Sequence, residues 1–202
     1  MTESAAASPP PADRPRCGWV GDDPLYQRYH DDEWGVPLHG DRALFEKLSL
    51  EAFQSGLSWI TILRRREGFR AAFAGFEIDR VAAFDDDDVE RLLGDPGIIR
   101  NRAKVEATIA NARVLRDWTT SEPGALDELI WSFAPPPRAQ RPDSLSEVPA
   151  QTDDSRALAR ALKQRGLRFV GPTTAYALMQ SAGLVDDHVS GCWRAEAGFP
   201  AR

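Results

Sequence analysis

Two cysteine–histidine pairs stand near opposite ends of the chain, and together they could bind a metal ion. Cys17 lies thirteen positions before His30, and His188 lies four positions before Cys192. If the second pair is helical, its spacing places both side chains on one face of a turn. Two cysteines and two histidines complete a tetrahedral set for structural zinc and leave no open position for catalysis. Buried free cysteines are also common, so the spacing alone leaves both interpretations open.

The second group of chemistry-bearing side chains is aromatic and surrounds Glu51. Seven aromatic residues fall within 41 positions: Trp19, Tyr26, Tyr29, Trp34, Phe45, Phe53 and Trp59. Most aromatic residues at helical spacing belong to a hydrophobic core. Aromatic faces beside one carboxylate could also stack a planar cationic base and hydrogen-bond its edge. Glu51 favours this second interpretation, because it stands among residues that a core helix would bury.

Basic residues are concentrated before a glycine-bearing turn between two predicted helices. The segment 155–169 has five basic residues and no acidic one: Arg156, Arg160, Lys163, Arg165 and Arg168. From Gly171 onward, the N-terminus of the next helix would offer backbone N–H groups to a phosphate. A smaller cluster, Arg100, Arg102 and Lys104, also precedes a helix. A solvated helical hairpin is the alternative, but two such units favour phosphate contact.

The net charge argues against a protein that coats nucleic acid, whereas the charge distribution does not. The 202 residues include 25 basic and 31 acidic side chains, a net charge of −6. Five basic and ten acidic residues lie within residues 1–60, which therefore account for most of the deficit. Because non-specific DNA affinity comes from neutralising phosphates, the basic segment predicts modest, salt-sensitive binding to duplex DNA.

The rest of the chain is predicted to be helical, since no alternating strand pattern competes. Residues 1–15, rich in Ala, Pro and Ser, are predicted to form a disordered tail before a single all-α domain at 16–202. Periodicity and capping residues predict helices at 41–56, 58–73, 85–93, 98–118, 126–133, 155–165 and 172–182. A proline-rich loop is predicted at 134–143. With no long apolar run and no signal-peptide pattern, we expect a cytoplasmic monomer without membrane contact.

Several motifs resemble the bacterial DNA-3-methyladenine glycosylase I family: CGWV, YHDDEWGVP, GLSWIT, RGLRFVG and DHVSGC. The similarity runs from about residue 17 to residue 192. It implies the all-α helix-hairpin-helix glycosylase fold and a role in base excision repair. The implied activity is excision of 3-methyladenine from alkylated double-stranded DNA by base flipping, which leaves an abasic site. It also implies one structural zinc ion per chain, bound at the positions of Cys17, His30, His188 and Cys192.

The resemblance implies specific roles for the base pocket, formed largely by residues 17–60, and for the hairpin at 162–183. Glu51 is the catalytic residue and lies against the edge of the flipped base. Trp59 and Tyr29 form the stacking walls. Trp19, Tyr26 and Trp34 are expected to line or support the pocket. Gly56 and Leu57 lie in the loop expected to fill the gap left in the duplex. The expected contacts with the DNA backbone are made by Arg168, Gly171 and Thr173.

Four positions depart from related patterns. Thr173 stands where bifunctional relatives place a Schiff-base lysine, so we expect no lyase activity. Asp186 stands at the superfamily's catalytic aspartate, where this family usually has Asn; it either stabilises the sugar cation or, as we favour, only neighbours the ligand His188. Ala52 and Phe53 replace a Gly-Gln pair of some relatives.

The alternative function is a zinc-stabilised module that binds DNA damage without catalysis.

Overall fold

The computed structural model describes residues 14–197, which form helices and loops but no β-strand. The helices are α1 (Pro24–Asp32), α2 (Asp41–Gln54), α3 (Trp59–Leu63), α4 (Arg66–Ala72), α5 (Ile78–Ala82), α6 (Asp86–Gly94), α7 (Arg102–Ser121), α8 (Ala125–Trp131), α9 (Asp153–Gln164), α10 (Pro172–Ser181) and α11 (Trp193–Ala197). Short 3-10 turns lie at Ala74–Phe76 and Leu145–Glu147. The all-α prediction is confirmed, whereas residues 1–13 of the predicted tail lie outside the described residues. None of the described helices is long and apolar enough to cross a membrane.

Helix α2 is the centre of the fold and contacts α3, α7, α8 and α10. Its side chains are buried on several faces, with Leu44, Phe45 and Phe53 completely inaccessible. Each large apolar side chain buried in this way contributes about 1.5–3 kcal/mol relative to an exposed one. The same helix holds Glu51 in the interior, only 4% exposed. Core packing therefore fixes the position of this carboxylate.

Helix α1 was not predicted, although its start has clear sequence signals. Asp23 caps it by accepting hydrogen bonds from the backbone N–H groups of Leu25 (2.8 Å) and Tyr26 (3.3 Å), and Pro24 occupies the first position. Aspartate before proline is a favourable helix start, because the cap satisfies unpaired N–H groups and proline has none to lose. The helix brings Tyr26 and Tyr29 onto one face, since residues three apart are neighbours.

The single helix predicted over 58–73 is wrong, because the chain breaks between α3 and α4. Arg65 adopts φ −104° and ψ 2°, and its N–H binds the carbonyl of Ile62, three residues back, rather than continuing the α-helix. The break directs α4 towards acidic partners. Arg66 there forms an ion pair with Glu33, and Arg70 pairs with Glu46 at 2.8 Å.

Helices α9 and α10 form the predicted hairpin and attach it to the N-terminal half. Helix α10 packs on both α9 and α2. Just after α10, Gly183 adopts φ +79°, and a Cβ there would lie 2.6 Å from the backbone nitrogen of Pro37. Only glycine allows this close approach. Beside it, the N–H of Leu38 donates a hydrogen bond to the carbonyl of Ala182 at 3.0 Å. The end of α10 is therefore fixed beside α1 and α2.

Candidate base pocket and metal centre

A cavity of about 180 Å³ opens between α1, α2, α3 and α10. It is smaller than the roughly 300–1,000 Å³ of drug-sized ligand sites, which suits one planar base. Its lining includes Glu51 and the five aromatic residues that the sequence assigns to the pocket. The complete set is Trp19, Tyr26, Tyr29, Trp34, Glu51, Gln54, Trp59, Leu145, Val148, Ala177, Gln180, Ser181 and Asp187.

The aromatic side chains form two walls of the cavity. The ring centroids of Tyr29 and Trp59 lie 5.3 Å apart with an angle of 42° between the planes. Trp19 lies 4.8 Å from Tyr26 and 5.2 Å from Trp34. The indole Nε1 of Trp59 is buried, with no hydrogen-bond partner among the described residues. These rings meet one another at angles and leave aromatic surface on the cavity.

Two of the seven aromatic residues belong to the core instead. Phe45 packs edge-on against Phe76 at 5.8 Å, and Phe53 lies 4.7 Å from Phe69. Neither lines the cavity. The Ala52-Phe53 departure therefore fills the core behind α2 rather than the base pocket.

Glu51 is a buried carboxylate at the cavity wall. Ser181 on α10 donates a hydrogen bond from its hydroxyl to Oε1 at 2.8 Å. Burial raises the pKa of Glu51 to about 7, against the opposing effects of Lys47 and this hydrogen bond. Near neutral pH the cavity can therefore present either a neutral carboxyl or a negative charge.

Ser181 and Asp187 are polar cavity residues that the sequence analysis missed. Asp187 is buried and accepts hydrogen bonds from the Tyr176 hydroxyl (2.6 Å) and the Gln180 amide (2.8 Å). Arg138 forms an ion pair with it at 3.0 Å. The available signal for Ser181 is a polar residue at the end of the apolar helix α10, and for Asp187 it is the position next to a predicted metal ligand. Neither signal indicates a cavity.

Asp186 lies beside the predicted metal ligand and is not part of the cavity lining. Its Oδ1 accepts a hydrogen bond from the backbone N–H of His188 at 3.1 Å and lies 3.0 Å from that ring's Nδ1. It also pairs with Arg141. Burial would raise the pKa of Asp186, but the hydrogen bonds of His188 and the charge of Arg141 outweigh it, and the pKa is lowered. This placement agrees with the interpretation that Asp186 is only a neighbour of the predicted metal ligand His188.

Cys17, His30 and Cys192 form a buried group that could hold a metal ion. Their ligand atoms lie within 4.8 Å of one another. Sγ of Cys192 is 3.4 Å from Nε2 of His30. His188 lies next to this group, its ring centroid 4.9 Å from that of His30. The helical turn assumed for His188 and Cys192 is wrong, because residues 185–192 form a loop and turn.

Carboxylates orient both histidine rings. Asp31 lies 2.8 Å from Nδ1 of His30, as Asp186 lies near Nδ1 of His188, so Nε2 of each ring would face a metal ion. The hydrogen bond between the two thiols and burial raise the pKa of Cys17, while that same bond and His30 lower the pKa of Cys192. The donor chemistry, two sulfurs and imidazole nitrogen in a buried space, fits zinc.

The predicted duplex-gap loop is exposed between Gln54 and Trp59, two residues that line the base pocket. Residues 55–58 are exposed between α2 and α3; Gly56 has φ +85° and Leu57 is 41% exposed. Lys104 holds the start of this loop, because its ammonium donates to the carbonyls of Phe53 (2.9 Å) and Ser55 (2.8 Å). The phosphate contact predicted for Lys104 is therefore wrong: the side chain is buried and supports the loop instead.

The hairpin presents Arg168 and Thr173 at the surface, with Gly171 half-buried between them. Asn111 on α7 holds the turn by binding both backbone polar groups of Arg168: its side chain accepts from the N–H at 2.7 Å and donates to the carbonyl at 3.1 Å. The next residue, Phe169, adopts φ +57° and is 42% exposed. A bulky side chain in this region stores backbone strain, which the surrounding contacts must maintain.

An all-helical fold that joins a basic hairpin to a base-sized aromatic pocket defines the class of helix-hairpin-helix DNA glycosylases. Residues 19–195 match the model of a family described as methyladenine glycosylase. DNA-3-methyladenine glycosylase 1 of Escherichia coli (strain K12) is 51% identical over 179 residues, which cover 88% of this chain and 95% of the relative. The chain belongs to the methyladenine glycosylase family.

Solved structures agree with this assignment. A crystal structure of 3-methyladenine DNA glycosylase I superposes with a TM-score of 0.84 at 49% identity, covering 89% of this chain and 98% of the other. A single-residue variant of such an enzyme, in complex with 3-methyladenine, gives a TM-score of 0.81 at 34% identity, with 88% and 96% covered. The helix-hairpin-helix fold predicted from the motifs is thus confirmed.

Proposed function

We propose that this protein is a monofunctional DNA glycosylase that excises 3-methyladenine from alkylated double-stranded DNA and leaves an abasic site. The single observation that carries the proposal is the buried carboxylate of Glu51 at the wall of an aromatic, base-sized cavity. The relative from Escherichia coli named for this activity supports it.

The cavity chemistry favours a cationic base over neutral adenine. Methylation at N3 makes the attached base positively charged, and a cation is attracted to aromatic faces and to a carboxylate. Tyr29 and Trp59 are the proposed stacking walls, with Trp19, Tyr26 and Trp34 completing the enclosure. Glu51 would accept a hydrogen bond from the base edge. Normal adenine lacks the charge and remains paired, so flipping it costs more.

Bond cleavage needs little help beyond binding. The C1′–N9 bond of the methylated nucleotide breaks with its electron pair moving to the base, which leaves as neutral 3-methyladenine. Water then adds to C1′ and loses a proton, which produces the abasic sugar. Because the leaving group is already activated, holding it out of the helix and stabilising the departing state supply the remaining acceleration. The exposed Thr173, at the position matched to the lysine of bifunctional relatives, has no amine to form a Schiff base, so no strand cleavage follows.

DNA docking is proposed for the surface around the cavity mouth and the hairpin. Gly56 and Leu57 would fill the gap that the flipped nucleotide leaves. Arg168, Gly171 and Thr173 would contact phosphates, Arg168 by charge and the α10 N-terminus by its backbone N–H groups. Arg160, Lys163 and Arg165 add exposed positive charge on the same hairpin.

One zinc ion per chain is proposed at Cys17, His30, His188 and Cys192, with a structural role. When bound, zinc would join the segment before α1 to the loop after α10. The carbonyl of Pro15 already accepts a hydrogen bond from the N–H of Trp193 at 2.9 Å, so the two segments are adjacent. The remaining expectations, a single domain over 16–202 that acts as a monomer in the bacterial cytoplasm, form part of the same proposal.

The deciding experiment is incubation of the protein with a methylated duplex, followed by chromatography of the released bases. We expect 3-methyladenine in the soluble fraction and intact strands with abasic sites. Breakage of those sites only after alkali would distinguish a glycosylase from a lyase. Tight binding to methylated duplex without base release at high protein concentration would instead support the alternative, a damage-binding module.

A further inference from the structure

Lys47 lies beside the two aromatic rings proposed as stacking walls of the base cavity. Its Nζ lies over the Tyr29 ring at 5.2 Å from the centroid and over the Trp59 ring at 5.5 Å. Lys47 lines a neighbouring cavity of about 280 Å³ and is absent from the lining of the base pocket. Its ammonium therefore lies close to the two rings without lining the pocket proposed for the base.

The same side chain is the cation closest along α2 to Glu51. The two residues are four apart on one helix, the spacing at which side chains become neighbours. Each affects the other: Lys47 lowers the pKa of Glu51, and Glu51 opposes the lowering of the Lys47 pKa by burial. The rings of Tyr29 and Trp59 hold the ammonium by cation–π attraction, which strengthens as water is removed.

We propose that Lys47 is a positioning residue that keeps Glu51 ionised near neutral pH, so that the pocket is negatively charged when the cationic base enters. This inference rests on the proposed function. Glu51 lines the base cavity and Lys47 does not, so a base in the cavity would lie closer to the carboxylate than to the ammonium. Because Coulomb energies fall with distance, the attraction of Glu51 exceeds the repulsion of Lys47.

Other charged or titratable groups around the pair define the background for this effect. Around Glu51 these are Tyr26 and Tyr29 of α1, the hydrogen-bonding hydroxyl of Ser181 on α10, and Asp187 after α10. Around Lys47 they are Glu33, Glu46 and Arg66, with Asp32, Arg42 and Arg70 in the same cavity. Arg66 and Arg70 are paired with Glu33 and Glu46, whereas no ion pair within 4 Å is found between Lys47 and Glu51 among the described residues.

The test is the pH dependence of single-turnover excision for the wild type, Lys47→Met and Lys47→Arg. The carboxylate is the required form, so wild-type excision should fall as pH drops through about 7, the pKa of Glu51. Loss of the ammonium should raise that pKa by about one unit, and excision at pH 7 should then fall roughly fivefold. At higher pH the Lys47→Met rate should rise to the wild-type plateau. Lys47→Arg should keep the wild-type profile.

We call the fall in excision rate at low pH the acid limb. If the acid limb of Lys47→Met lies at the same pH as that of the wild type, the inference is wrong. If that variant does not fold, Lys47→Gln removes the same charge with a polar side chain, and the Glu51 carboxyl carbon can be titrated by NMR in either variant. Glu51→Gln separates the two proposals. If it excises normally, the proposed use of Glu51 is wrong; if it abolishes the acid limb while Lys47 variants leave the limb unmoved, only the Lys47 inference fails.

Discussion

The base cavity and the metal centre are built in different ways, although both use α1. The cavity side chains come mainly from regular helices: Tyr29 from α1, Glu51 from α2 and Ser181 from α10. Of the three residues that could hold a metal ion, only His30 lies on a helix, while Cys17 and Cys192 lie in irregular segments before α1 and after α10. Core packing positions the first set, whereas the second must be held by its own ligands and carboxylates.

This difference predicts a separation of effects. A change at the cavity should alter excision and leave stability nearly intact, because the helices there are fixed by the apolar core. A change at the metal centre should lower stability first, because few apolar contacts hold the end segments. The smaller core cluster at that end contains only Cys17, Val20 and Cys192 as fully buried members among the described residues.

Removal of a metal ligand is expected to have the largest effect on stability. Cys192→Ser should lose the proposed zinc and lower the free energy of unfolding by more than about 4 kcal/mol, as loss of a structural metal typically does. Metal analysis and thermal unfolding measure both quantities. Ser190→Ala is the matched control, since it removes only an exposed hydrogen bond to Asp143. A folded, zinc-free variant of wild-type stability would contradict the structural role, and one that is stable but inactive would give zinc a chemical role.

Loss of the cavity carboxylate should have the opposite signature. Glu51→Gln keeps the size of the side chain and an acceptor for Ser181 but cannot become negative, so we expect roughly a 100-fold slower excision. Stability should stay the same or rise, because a buried ionisable group has been replaced by a neutral one. Glu46→Gln is the matched control on the same helix, since it breaks the pair with Arg70 and Glu46 does not line the base pocket. An unchanged rate for Glu51→Gln removes this carboxylate from the mechanism.

Local signals explain which parts of the fold were predictable. The start of α6 was correctly predicted because Asp85 and Asp88 form a capping box, and acidic residues at a helix start have few competing interpretations. The break between α3 and α4 was not, because Ser58–Phe73 has continuous helical character. The break is accompanied by tertiary pairing of α4 with Glu33 and Glu46, which no local pattern contains.

The candidate site shows the same division between near and distant residues. The structure brings together Glu51 and the five predicted aromatic residues, which the motifs place within one stretch of chain. Ser181, Gln180 and Asp187 come from more than 120 residues further along the chain and were missed, since nothing near them signals a cavity. Lys104 was misassigned because a basic residue before a helix looks the same in sequence whether it faces phosphate or a buried carbonyl.

Trp34 connects the two regions and gives the smallest but most discriminating prediction. Its ring lines the base cavity and also lies 4.6 Å from the His188 ring and 6.2 Å from the His30 ring. Trp34→Leu should therefore lower both quantities modestly, excision by roughly fivefold and the free energy of unfolding by about 1–3 kcal/mol, through lost stacking and packing.

The control for Trp34→Leu is Trp131→Leu, which removes a ring that is stacked on His39 at 4.4 Å and belongs to neither site. It should lower the unfolding temperature without changing the excision rate of the folded protein. If Trp34→Leu lowers stability alone, the two regions are independent and the cavity does not need this wall. If it slows excision and also weakens zinc retention, the proposed metal centre supports the base pocket through this one ring, and the two regions are coupled just after the end of α1.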